Sequence, residues 1–198
     1  MSPRSKKLAE TMKAESRGAI LAAALELFAK RGYSATTTDE IAKKAKVSKG
    51  HIFAHFGTKQ DILMAILDEQ IGRLMPGLDD GSELRSAKEK FISLIDAWVE
   101  VVKTEPLLVR LSLQLNLDDE YRKLLKTKGK QYYDAVFGRL RDLVKQLGSK
   151  DPDLDCLLLT FVFDGIMANY TVAPQLFSID AFKDHLIETL LSRWESRK

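Results

Sequence analysis

The chain has 198 residues, 45% of them hydrophobic, one cysteine and a net charge of +3. That composition can fill an ordinary globular core, and a lone Cys156 excludes an internal disulfide or a thiolate zinc cluster within one chain, so a reduced cytoplasm is the expected compartment. The uninterrupted apolar runs fall far short of the ~20 residues of a membrane span, and the opening MSPRSKKLAETMKAESR lacks the apolar centre of a signal peptide. Neither insertion nor export is expected. The charge is uneven: residues 1–60 carry 12 Lys/Arg against 5 Asp/Glu, a net +7, and residues 61–198 carry 19 against 23, a net −4. A basic first third on an acidic remainder suits a polyanionic partner, although a merely solvated basic surface would give the same count.

The periodicity is helical almost throughout. From Arg17 to Lys30 the residues Ile20, Ala23, Ala24, Leu27 and Phe28 share one face, and Gly32 supplies a stop. Thr37 and Glu40 stand in capping-box relation, predicting a short helix from Thr38 to Ala45. Ser48 can cap a third helix running to about Phe56, ended by Gly57. Thr58 can cap a fourth, to about Leu74, before the loop PGLDDGS. Further helical stretches are expected at Ser82–Lys103, across 118–147, from Asp151–Pro152 to about Val172, and from about Asp180 to Trp194. Only RLSLQLNL, 110–117, alternates as a strand would, and with no partner strand it is read as helical. The expected fold is all-α, with about nine helices: an N-terminal three-helix helix-turn-helix domain and a C-terminal helical ligand-binding and dimerisation domain. Residues 1–60 form the arm and DNA-binding domain, 58–74 the connecting helix, and 61–198 the remainder.

Two short capped helices joined by a tight turn inside a basic region make a helix-turn-helix argument. On the third helix, Ile52 and Phe56 should face the core with Val47, Ile41 and Phe28. The opposite side presents Gly50, Ala54 and His51, flanked by Lys49 and Phe53, and carries no carboxylate, as a surface meeting phosphates requires. His51 and His55, four residues apart, could share a metal. Two ligands fall short of the usual three or four, so no metal is expected and the pair reads as DNA-facing, with His55 alternatively packing beside the helix.

Residues 16–63 resemble the N-terminal domain of the TetR family of transcriptional regulators. The likeness is carried by Ile20, Leu27, Phe28, Gly32, Tyr33, Thr36, Thr37, Ile41, Ala42, Ala45, the run Val47–Ser48–Lys49–Gly50, and His55, Phe56, Lys59, Ile62 and Leu63. The resemblance implies a third helix that reads the major groove. By position it makes Thr37, Thr38, Ser48 and Lys59 phosphate-positioning residues, and Lys49, Gly50, His51, Phe53, Ala54 and His55 the recognition surface. Three residues depart from the pattern: Lys46 stands where a turn glycine is usual, Phe53 where tyrosine is common, and His51 where a smaller residue is usual.

The resemblance also implies a homodimer formed by the last two helices, for which Leu158, Phe161, Gly165, Phe182, Leu186, Leu190 and Trp194 are suitable material. It implies a small-molecule effector held in the C-terminal helices, with Trp98, Arg110, Gln114, Tyr133, Asp164, Asn169 and Tyr170 as candidate contacts. An inward-pointing Arg110 would suit an anionic effector or pair with Asp164. No cofactor is expected. No Gly-rich phosphate loop, nucleophile elbow or metal triad suggests an enzyme. The function expected is a sequence-specific regulator, a repressor released from a palindromic operator on double-stranded DNA by the effector. The competing reading is a ligand-binding or architectural helical protein with only non-specific DNA affinity, whose mark would be sequence-independent binding.

Overall fold

Hydrogen bonds between neighbours set most of the helix starts. The computed structural model describes residues 3–74, 86–126 and 130–195, and among them no strand occurs. Ten α-helices follow in order: α1 (Pro3–Arg31), α2 (Thr38–Ala45), α3 (Lys49–His55), α4 (Lys59–Leu74), α5 (Ala87–Thr104), α6 (Pro106–Leu115), α7 (Asp119–Leu124), α8 (Lys130–Gln146), α9 (Pro152–Val172) and α10 (Ile179–Glu195), with one 3-10 turn at Pro174–Leu176. Thr37 closes its capping box with Glu40, Ser48 accepts from the His51 N–H, Ser86 forms a second capping box with Glu89, and Asp151 accepts from the Leu154 N–H. Each satisfies donors that a helix start leaves open.

Three expectations change. α1 begins at Pro3 rather than Arg17, because Lys, Ala, Glu, Leu and Met favour helix even where nothing is buried; Leu8 and Met12 stand exposed there. The stretch 118–147 contains two helices, α7 and α8, which is why the described residues form ten helices rather than nine. The segment expected from Ser82 starts as helix at Ala87; its first residues and the PGLDDGS loop lie outside the described residues. RLSLQLNL falls mainly within α6, as its helical reading required.

The helix-turn-helix packs on Ile20, Phe28, Tyr33, Ile41, Ile52, Phe56, Ile62, Leu63 and Ile66, and this cluster continues into Leu108, Leu111 and Leu115 of α6 and Leu124 of α7. Burying each such side chain is worth roughly 1.5–3 kcal/mol. A second cluster joins α5, α8, α9 and α10 around Phe91, Ile95, Leu143, Val144, Leu159 and Trp194. A third, around Trp98, Val102, Val109, Ile166 and Ile179, links α5, α6, α9 and α10.

By length and composition alone α9 could cross a membrane, but it packs as a bundle helix against α8 and α6. Only 22% of its apolar stretch is buried within the chain, which leaves Leu154, Leu157, Leu158, Phe161 and Val172 exposed.

Candidate nucleic-acid interface

α3 is anchored by Ile52, fully buried, and by Phe56 directly after it, while Lys49, Gly50, His51, Phe53 and Ala54 are all exposed. The seven-residue helix therefore presents its outer side as a continuous surface. The turn before it depends on Lys46, whose φ of 57° and ψ of 37° are left-handed; its N–H reaches the carbonyls of Ala42 and Lys43. A lysine thus adopts the conformation that glycine usually supplies, at a cost of about 1 kcal/mol.

The individual side chains are not all free. Lys49 Nζ pairs with Asp39 Oδ1 of α2 at 2.7 Å, with both groups largely exposed, so an acidic side chain borders a surface that carries none of its own. Ser48 Oγ lies 2.7 Å from His51 Nδ1 and also accepts from the His51 N–H at 3.3 Å. In the tautomer in which the Ser48 hydroxyl donates to Nδ1, the ring proton is on Nε2, which is then a donor. Thr37 is exposed, but its hydroxyl is committed to Glu40. Hydrogen bonds from the Thr37 backbone and hydroxyl, and from Arg31, hold the Glu40 carboxyl below its usual range. Thr38 is half-buried at the start of α2.

His55 and Lys59 lie elsewhere than the sequence suggests. His55 is half-buried against α1, with Nε2 2.7 Å from Ser16 Oγ, which is the packing alternative rather than an outward-facing ring. Burial, followed by the electrostatic influence of Lys13, His51 and Arg17, lowers its pKa. The two imidazoles therefore have different partners, and among the described residues no group of three or more His, Cys, Asp or Glu is placed to hold a metal ion. Lys59 is folded inward: Nζ donates to Tyr33 O at 3.0 Å and to Glu120 Oε2 at 3.1 Å, and lies 4.3 Å from the centre of the Tyr33 ring. Burial, then Glu120, Asp118 and Asp61, pushes the Tyr33 phenol upward.

Asp118 completes this corner. Its carboxylate accepts from Ser34 N and Oγ at 3.0 and 2.7 Å and from the Glu120 and Tyr121 N–H groups at 3.0 Å each. Burial alone would raise its pKa, but the hydrogen bonds from Tyr121, Ser34 and Glu120 outweigh that and hold it below the usual range. Ser16, Ser34, Asp39, Asp118 and Glu120 have no signal in the helix-turn-helix pattern, because each matters through a contact distant in sequence or on a neighbouring helix.

The C-terminal candidates are dispersed. Trp98 is buried and stacks on Phe163 with centroids 4.2 Å apart; Tyr170 meets Phe177 edge-on at 6.0 Å within the same cluster. Gln114 is half-buried, and its Oε1 is shielded from solvent without a hydrogen-bond partner among the described residues. Burial raises the Asp164 carboxyl. Arg110 is exposed, because Leu108, Val109, Leu111 and Leu115 take the buried side of α6, so the inward guanidinium suited to an anionic effector does not form. Asn169 is exposed and donates to Gly165 O. The Tyr133 side chain lies outside the described residues.

The expected stripe on α10 is divided. Leu186, Leu190 and Trp194 are buried in the chain's own core, because that side of α10 packs on α5 and α9. Phe182, Phe161, Leu158 and Gly165 are exposed instead, and with Val172, Leu176 and Phe177 several of them line an open apolar groove.

The family described as "Bacterial regulatory proteins, tetR family" matches residues 20–66, the segment that contains α2 and α3. Among curated relatives, the HTH-type transcriptional activator FasR of Mycolicibacterium smegmatis is 38% identical over 90 residues, which covers 41% of this chain and 41% of that protein. The fatty acid metabolism regulator protein of Bacillus subtilis is 28% identical over 182 residues, covering 87% of this chain and 92% of the relative. The solved structure of the fatty acid degradation regulator FadR from Bacillus halodurans superposes with a TM-score of 0.70 at 22% identity, covering 89% of this chain and 94% of that one. The tetR-family match thus falls on the segment that presents the exposed side of α3 on its buried scaffold, and the chain shares its fold with these regulators along most of its length.

Proposed function

We propose that the protein is a homodimer that reads a palindromic operator with two copies of α3, acts as a repressor, and is released by a small-molecule effector. The observation that carries this reading is the outer side of α3, where Lys49, Gly50, His51, Phe53 and Ala54 are exposed together on a helix fixed by Ile52. In a major groove, His51 Nε2 would donate to a base acceptor such as guanine N7 or O6, and Phe53 would meet a thymine methyl. Thr37, Thr38, Ser48 and Lys59 would position phosphates, and His55 would support the helix from behind.

The exposed apolar groove of α9 and α10 supports dimerisation, since a two-fold operator requires a two-fold protein. The effector reading draws on the apolar cluster around Trp98 and Tyr170 and on Gln114 Oε1, which has no partner among the described residues and is an acceptor suited to a donor group of a bound molecule. The names of the relatives from Bacillus subtilis and Bacillus halodurans favour a fatty acid derivative as effector and genes of fatty acid metabolism as targets. A ligand that favours another spacing of the two reading helices would weaken operator binding, typically by 5- to 150-fold.

The test is selection of genomic fragments by the purified protein at near-physiological salt. A recovered palindrome with half-sites about 34 Å apart, next to genes of fatty acid metabolism, is the expected result. Recovery of unselected DNA that is lost on a modest rise in salt would sink the operator reading and leave non-specific electrostatic binding.

A further inference from the structure

Lys59 opens α4 immediately behind the reading helix, yet its ammonium group is held by the protein. Two acceptors are backbone carbonyls, Tyr33 O at 3.0 Å and Ser34 O at 3.5 Å, and the third is Glu120 Oε2 at 3.1 Å. A lysine has three donors, and these acceptors occupy all of them. They differ in kind: the carbonyls belong to the α1–α2 loop and stay with the helix-turn-helix, whereas Glu120 comes from α7, 61 residues away in sequence.

The pair is also lopsided in solvent exposure. The Lys59 side chain is 18% exposed and that of Glu120 50%. The carbonyls and the Tyr33 ring would keep the ammonium seated if the carboxylate left. Glu120, by contrast, is placed by Asp118, which caps α7 and grips Ser34 in the same loop with one carboxylate. This is a braced arrangement of two acidic side chains on one corner of the DNA-binding surface.

We infer that Glu120 is a positioning residue of that surface: on binding DNA, Lys59 exchanges the Glu120 carboxylate for a backbone phosphate, and Asp118, by bracing α7 against the loop, sets how strongly the exchange is opposed. The inference rests on the reading of Lys59 as a phosphate contact. It makes α7 an internal competitor of DNA, so that any displacement of α7 changes how much positive charge the surface offers.

The experiment measures duplex binding by the full-length protein as a function of salt for the wild type, Glu120→Gln, Lys59→Met and the double variant. Asp119→Asn, on the same turn and paired instead with Arg122, controls for the loss of a nearby negative charge. Two probes are used, the fragment retained in the genomic selection and an unrelated duplex, since a phosphate contact operates on both. Urea unfolding of every variant shows that it is folded. Glu120→Gln is expected to bind both duplexes about two- to fivefold more tightly. Its salt dependence should be steeper by up to about 0.9 per subunit, because no freed carboxylate recaptures a cation. Lys59→Met should abolish that gain in the double variant, and Asp119→Asn should give little of it. The same gain with or without Lys59, or no change in affinity and slope for Glu120→Gln, would overturn the exchange. Failure of the wild type to prefer the selected fragment would instead remove the operator reading, and the unrelated duplex would still decide the exchange.

Discussion

Lys46 is the one non-glycine residue with positive φ among the described residues, and its strain sits in the turn that sets α3 against α2. Lys46→Gly relieves a left-handed penalty of about 1 kcal/mol, offset in part by the greater freedom glycine gives the unfolded chain. The expected outcome is a net stabilisation of up to about 1 kcal/mol, read as a higher urea midpoint. A lower midpoint would mean that the lysine stem makes contacts worth more than the strain. His55 adds a pH dependence. Its folded pKa lies below the ordinary imidazole value of about 6.5, so the unfolded chain binds the proton more readily. Stability should be full above about pH 6.5 and fall as the pH drops through that value toward the lower folded pKa. Unfolding midpoints between pH 7 and pH 5 should show this decline, and His55→Gln should flatten it; equal slopes for both proteins would place the effect elsewhere. What the sequence made legible at this scale is local. Thr37, Ser48 and Asp151 cap helices through bonds three residues away, so their residue types and spacing suffice. The commitments of Lys59 to Glu120 and of His55 to Ser16 span 61 and 39 residues and depend on tertiary packing that no spacing encodes.

Among the elements, α9 and α10 are joined by a buried polar network as well as by apolar contact. Asp155, 4% exposed, accepts from Trp194 Nε1 at 2.7 Å and Ser149 Oγ at 2.6 Å and pairs with Arg193 at 3.2 Å. Asp155→Ala removes the acceptor shared by all three groups and is expected to cost about 3–5 kcal/mol. Trp194→Phe, which loses one hydrogen bond and keeps most of the ring packing, should cost about 1.5–3 kcal/mol. Denaturant unfolding of both variants gives the order, and a larger loss for Trp194→Phe would assign the stability to ring packing instead. The same two helices mark the limit of pattern reading. Leu186, Leu190 and Trp194 form an apolar stripe, as do Leu154, Phe161 and Val172, and helical periodicity assigns both to "buried". Only the placement of α5 and α8 decides that the first stripe is covered from within and the second left open. The first turns of α1 pose the reverse problem: they are helical through residue propensity and carry no apolar face, so a method that looks for a face starts the helix about four turns late.

For the whole molecule, the open face of α9 and α10 leaves large apolar side chains uncovered. Phe161 is 64% exposed and Val172 84%. Phe161→Glu places a charge on that face without touching the internal core. The expected outcome is a solution mass near that of the 22.3 kDa chain in place of twice that value, measured by light scattering, with loss of operator affinity. A variant that stays dimeric would move the interface off this groove. The other feature of this scale is the cluster in which Leu108, Leu111, Leu115 and Leu124 share a core with Ile20, Phe28 and Ile52. Among the described residues the helix-turn-helix has no seam behind it along which it could be cut. A fragment ending after α4 would expose the surface that α6 and α7 cover, so chimaeras that transplant the proposed DNA specificity onto another C-terminal domain are expected to need α6 and α7 with the helix-turn-helix. Modular exchange would then follow the boundary of the shared core, and the portable unit is a discontinuous one made of α1–α4 with α6 and α7.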